Sequence, residues 1–194
     1  DVENLVLLAM GRPFPDWKDL DIGISSKTML DIIEEATGRS EEDIEKAWKE
    51  RGDLGSAAEV MVRNKTQRKL GSKELTVERV SETMEKVARM GEGGGETGSA
   101  SMDKKKSEVS ALISDAEPAE AKWIARSFIE NMRLGVGEGI TRDALDEAFL
   151  NGEHSEDVQR AYDLTNDFRE VAKACREGIE EVRSLEIEVF RPIK

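Results

Sequence analysis

With 194 residues, 38% of them hydrophobic and 37% charged, the chain can bury a core, and no apolar run approaches the roughly 20 residues of a membrane span. A formal net charge of −13 and a pI of about 4.7 exclude a broadly basic coat for nucleic acid. They still allow a local anion site, because a screening length of about 8 Å hides distant acidic surface from a bound phosphate.

In chain order, "VENLVLLAMG" predicts an apolar helix stopped at Gly11, and "RPFPDW" an extended bend through Pro13 and Pro15. "KTMLDIIEEATG" predicts a helix closed by Gly38. Ser40 and Asp43 make an S-x-x-D cap for "SEEDIEKAWKERG". "DLGSAAEVMVRN" and "TVERVSETMEKVARMG" add two helices, and residues 91–101, "GEGGGETGSAS", read as a flexible glycine-rich loop. Lys104, Lys105 and Lys106 follow as a solvated helix start, with a phosphate contact as the alternative. Pro118 suits the first position of a helix whose expected buried stripe is Trp123, Ile124, Phe128, Ile129 and Met132. Ile140, Ala144, Leu145, Ala148 and Phe149 mark a second expected stripe. "SEDVQRAYDL" and "NDFREVAKACREG" are helical, and only the tail "SLEIEVF" alternates like a strand. The class is all-α.

An internal repeat organises these helices. Residues 40–61, "SEEDIEKAWKERGDLGSAAEVM", align without gaps on residues 154–175, "HSEDVQRAYDLTNDFREVAKAC". Ile44 meets Val158, Ala47 meets Ala161, and Trp48 meets Tyr162. With small gaps upstream, "IGISSKTMLDII" pairs with "LGVGEGITRDALDEAF", so that Gly23 matches Gly135. Shared amphipathic periodicity explains part of the match; the acidic caps and glycine-led entries favour a duplicated helix–glycine turn–helix unit with pseudo-twofold symmetry.

The glycines carry the functional reading. Gly135, Gly137 and Gly139 follow a helix rather than a strand, so a dinucleotide-binding loop is excluded. A bare turn leading into a helix instead lets backbone approach a ligand and offers unpaired N–H groups to an anion. Thr141 adds a hydroxyl, and Arg133 and Arg142 can reach neighbouring phosphates. A weaker copy of the same parts is Gly23, Ser25, Ser26, Lys27 and Thr28. Such grips position a protein on a duplex without reading sequence. Catalytic constellations are missing. The only histidine, His154, reads as a helix cap, and the only cysteine, Cys175, as a packed thiol in a reducing setting. No metal site, Walker loop, H-E-x-x-H or EF-hand pattern is present.

"WIARSFIENMRLGVGEGITRDALDEAF", "VQRAYDLTNDFREVAKACREG", "GDLGSAAEV" and "GRPFPDWKDLDIGISSKTML" resemble the N-terminal DNA-binding domain of archaeal and eukaryotic replicative ATP-dependent DNA ligases. The resemblance implies an all-helical domain that grips the minor groove of nicked duplex DNA and helps the nucleotidyltransferase core encircle it. The family's groove contacts match residues 133–142 and 23–28. It further implies that residues 1–188 form the domain without its first helices, and that 189–194, "VFRPIK", begin the junction to the adenylation domain. The family's catalytic K-x-D-G motif belongs to that next domain and does not occur here, so ATP and magnesium chemistry belongs to the parent enzyme. The implied partners are nicked duplex DNA, the adenylation and OB-fold domains of the parent chain, and a sliding clamp, in a cytoplasmic, nucleoid-associated setting. Archaeal relatives carry a clamp motif of Gln followed by paired aromatics near "NKTQRKLGSKELTV", where this chain keeps Gln67 and Leu70 without the aromatics. The alternative reading, motivated by the net charge of −13 and by that loop, is a non-catalytic helical protein–protein adaptor.

Overall fold

Ser25, Ser40, Asp53 and Thr76 each stand in extended backbone just before a helix. Each side chain accepts the N–H three residues on, at 3.1, 3.3, 2.8 and 3.1 Å. These bonds satisfy donors that a helix start leaves unpaired. The computed structural model describes residues 2–11, 13–18, 20–65, 74–90 and 99–187. The capped residues start α2 (Ser26–Thr37), α3 (Glu41–Arg51), α4 (Leu54–Arg63) and α5 (Val77–Arg89). The other helices are α1 (Val2–Met10), α6 (Ser99–Asp115), α7 (Pro118–Phe128), α8 (Glu138–Leu150), α9 (Ser155–Thr165), α10 (Phe168–Glu177) and α11 (Ile179–Ser184). No strand occurs among the described residues, and none of their helices is long and apolar enough to cross a membrane.

The chain divides into two units. The first comprises Asp1–Leu20 and Met132–Lys194, the second Asp21–Asn131. In the first, α1 and α8 pack on α10 around Leu7, Leu145, Leu150, Val158, Tyr162, Phe168, Val171 and Cys175. Tyr162 and Phe168 stack with centroids 3.9 Å apart. Burial pushes the Cys175 thiol up to about 11, with Asp146 adding to the effect, so it is the packed, unreactive group expected.

In the second unit α2 packs on α6, and α4 on α3 and α7. Gly55 makes the α4–α7 approach possible: a Cβ there would stand 2.6 Å from the Lys122 carbonyl oxygen and 2.7 Å from Arg126 Cγ. Arg126 then reaches past it to Asp53, with Nη2 2.7 Å from Oδ2.

Several expectations need correction. The strand expected in "SLEIEVF" is absent over its described part: Ser184 ends α11, and residues 185–187 have no regular structure. Among the described residues no strand offers a ladder, so alternation alone has nothing to pair with. Residues 99–101, assigned to the glycine loop, begin α6, while 91–98 lie outside the described residues.

Lys104, Lys105 and Lys106 therefore lie inside α6 rather than at its start, and Lys105 is buried. Trp123 is exposed, its ring covered on one side by the Arg126 guanidinium at 4.8 Å, while Ile124 and Phe128 are buried as expected. The second stripe fails more fully: Ile140, Ala144, Ala148 and Phe149 are exposed, and only Leu145 is buried. Helix α8 instead buries Thr141, Leu145, Asp146 and Leu150. Both polar residues on that face are satisfied: Thr141 Oγ1 donates to the Gly137 carbonyl, and Asp146 accepts the His154 N–H at 3.0 Å. Their bonding lets the helix turn its more apolar stripe outward.

Candidate nucleic-acid interface

Residues 133–142 start from a strained backbone. Arg133 has φ of 56°, a left-handed conformation that costs a side-chain-bearing residue about 1–2 kcal/mol, and it is exposed. Gly135 follows at φ 65°, where glycine carries no such penalty. Gly137, in extended backbone, is the N-cap of α8 and brings no side chain to cap it. A Cβ at Gly135, Gly137 or Gly139 would meet nothing within 4 Å. For Gly137 and Gly139, then, neither φ nor packing explains the missing side chain, in contrast to Gly55.

The neighbouring side chains are ordered within the same unit. Arg142 donates from Nε to Asp143 Oδ1 at 2.7 Å and from Nη1 to Gln159 Oε1 at 3.3 Å. Glu138, the first residue of α8, accepts the Tyr162 hydroxyl at 3.2 Å. Thr141 is buried, and its hydroxyl stabilises the turn through Gly137. His154 occupies the N-cap position of α9, but its side chain makes no capping bond; Nδ1 lies 3.3 Å from Asp157 Oδ2.

The weaker turn, in the other unit, has the same local form. Gly23 has φ of 66° and, like Gly135, stands two residues before an extended N-cap, here Ser25. Ser25 Oγ accepts the Thr28 N–H and lies 2.9 Å from Thr28 Oγ1, while Ser26 opens α2 and Lys27 is exposed. Beneath it lies a residue that sequence reading missed as a turn support. Lys105, only 6% exposed, donates from Nζ to the Ile22 carbonyl at 2.9 Å. Burial lowers its pKa, and Asp21 opposes that shift. The three-lysine run was the available signal, but it does not say which lysine turns inward. Lys106 pairs with Asp31 at 2.5 Å.

The two segments that align in sequence also have matching helix bounds. In the gapless alignment α3 coincides with α9 and α4 with α10 at both ends. Gly52 and Asn166 close the paired helices in the left-handed conformation, and Asp53 and Asp167 cap the next pair. One copy falls in each unit. Gln67 and Leu70 lie outside the described residues.

Among the described residues, no group of histidine, cysteine and carboxylate side chains could hold a metal ion. Lys105, the buried lysine, is committed to a backbone carbonyl. These residues do not fit a nucleotide–magnesium centre. Over the described residues the chain is all-helical, and two glycine turns, at Gly23 and Gly135, each stand two residues before the N-cap of a helix.

Comparison with known proteins gives the chain its family. The family described as DNA ligase N terminus matches residues 1–146, and the chain belongs to it. It is 40% identical over its full length to a DNA ligase of Thermococcus fumicolans, and 36% identical to those of Archaeoglobus fulgidus and Methanopyrus kandleri. It covers 33%, 34% and 34% of those proteins, so the chain spans about a third of the length of the curated relatives it matches.

Proposed function

We propose that the chain is the duplex-binding part of an ATP-dependent DNA ligase that seals nicks in replication, repair and recombination. It holds nicked duplex through the minor groove and phosphate backbone, without reading sequence. The parent enzyme's ATP and magnesium chemistry, and its adenylation and OB-fold domains, lie in the remaining two-thirds of such proteins. The observation that carries this reading is the start of α8, where the N-cap Gly137 has no capping side chain and Gly137 and Gly139 are bare although neither φ nor packing requires it. Backbone N–H groups there can meet phosphate oxygens, and Arg133 and Arg142 stand on either side in sequence. The turn at Gly23, with Ser25, Ser26, Lys27 and Thr28, supplies a second grip, and the matched helix bounds support descent of both from one duplicated unit. In this reading Thr141 orders the turn, and Arg142 exchanges Asp143 for phosphate on binding.

Arg133→Ala and Arg142→Ala should each weaken binding to nicked duplexes of unrelated sequence by similar factors. Each should also lower the slope of log affinity against log salt by about 1. Titration by fluorescence anisotropy across a salt series checks this, and wild-type affinity and slope in both variants would remove the assignment.

A further inference from the structure

We infer that Lys105 is a positioning residue for the second grip, fixing the Gly23 turn and supplying positive charge from beneath it against the opposing charge of Asp21; the inference rests on the DNA-binding reading above. Ile22 and Ile24 anchor the turn in the core, while Asp21, Gly23 and Ser25 are exposed. The peptide between Ile22 and Gly23 is held at both ends. Lys105 Nζ donates to its carbonyl at 2.9 Å, and its N–H donates to Asp21 Oδ1 at 2.7 Å. A Cβ on Gly23 would stand 3.3 Å from the same Nζ, so glycine here admits the ammonium as well as the φ of 66°. Gly23 thus differs from Gly137 and Gly139, whose bareness has neither cause.

A buried ammonium is a costly way to hold a carbonyl. It gives up its hydration for one acceptor, where a methionine would fill similar space without charge. The charge has a use if the turn faces phosphate. Asp21, exposed beside the turn, repels an anion arriving at α2, and the ammonium under Gly23 offsets that repulsion. Lys105 also draws the Ile22 carbonyl toward a buried partner, keeping its negative end from the anion. The N–H groups of Gly23 and Thr28 are taken by Asp21 and Ser25, which leaves Ser26 and Lys27, at the opening of α2, to meet the phosphate. Asp21 is the charged group that acts on Lys105. Around the rest of α6, Asp31, Glu35 and Asp103 act on Lys106, while Lys86 and Arg79 of α5 pair with Glu108 and Asp115. Glu130, beyond α7, faces Asp21.

The test titrates a labelled nicked duplex with wild type, Lys105→Met, Asp21→Asn and Lys27→Ala by fluorescence anisotropy, from about pH 7.5 to about pH 9.5, with thermal unfolding followed in parallel. At the lower pH, Lys105→Met should bind about five- to tenfold more weakly, the scale of one charge near a phosphate at a partly wet surface. Asp21→Asn keeps an oxygen for the Gly23 N–H and should bind about two- to fivefold more tightly. Burial lowers the Lys105 pKa, so wild-type affinity should fall as rising pH removes that cation, while lysines at the ordinary value of about 10.4 stay mostly charged. Lys105→Met should lack the fall. A lysine that serves only the fold would give no such pH profile and no gain in Asp21→Asn; that result, or a fall that persists in Lys105→Met, would overturn the inference. If Lys105→Met does not fold, the wild-type pH profile and Asp21→Asn decide on the same terms. If Lys27→Ala weakens binding and Lys105→Met does not, the DNA-binding reading stands and this inference alone fails. If wild type does not bind the duplex at any pH, both fail.

Discussion

Replacing Asp53 with alanine should lower the unfolding free energy by about 3–5 kcal/mol, the range for removing one member of a buried ion pair. Three roles meet in this carboxylate. It caps α4 through the Ser56 N–H at 2.8 Å, accepts the Ser56 hydroxyl at 2.7 Å, and receives Arg126 from α7. Alanine removes all three and leaves a guanidinium 13% exposed with no carboxylate opposite it. Asp53→Asn keeps much of the cap and should fall between wild type and alanine in urea denaturation. Acid should act on the same group. Burial opposes its ionisation, but Arg126 and Ser56 outweigh that and hold the carboxyl at about 2, below its ordinary 3.8. A depressed carboxyl stabilises the fold fully above its unfolded value, and that contribution is lost as pH falls through the folded one. About 2 kcal/mol of stability should therefore disappear between pH 3.8 and pH 2 in the wild type, and Asp53→Asn should not show that loss.

Gly139→Gln should move stability and binding in opposite directions. Gly139 lies in the first turn of α8, and a Cβ there meets nothing within 4 Å. Glutamine is the better helix former, so thermal or urea unfolding should show a gain of roughly 0.5–1 kcal/mol. The same side chain would stand between the open backbone and a phosphate, and affinity for nicked duplex should fall by about 10- to 100-fold. Glutamine adds no charge, so the loss would not come from electrostatic repulsion. A stabilised variant with wild-type DNA affinity would mean the glycine is incidental.

Most of the fold was legible because its signals are local. Ser40, Asp53 and Pro118 mark helix starts by chemistry that works within one turn, and Gly38 and Gly52 mark ends by their left-handed conformation. The matching bounds of α3 with α9 and of α4 with α10 were legible for the same reason, since caps and small buried residues recur at fixed spacing. What failed depended on long-range partners. The orientation of α8 turns on whether Thr141 and Asp146 find hydrogen bonds inside, and periodicity favours the apolar stripe because it cannot see those partners. Lys105 looked like one solvated cation of three until Ile22, far away in sequence, supplied its carbonyl. At the site, the bare turn and its arginines were readable. The commitments of Thr141 to Gly137 and of Arg142 to Gln159 were not, because both depend on where α8 settles.

In the proposed reading duplex DNA rests on exposed backbone at the start of α8. An NMR titration of the uniformly ¹⁵N-labelled chain with a nicked duplex tests it directly, because each glycine amide reports its own surroundings. The amide signals of Gly135, Gly137 and Gly139 should shift or broaden early and strongly, with Gly23 and Lys27 responding as well, while Gly55, enclosed between α4 and α7, stays in place. Saturable binding that leaves the signals of Gly135, Gly137 and Gly139 unmoved would contradict it.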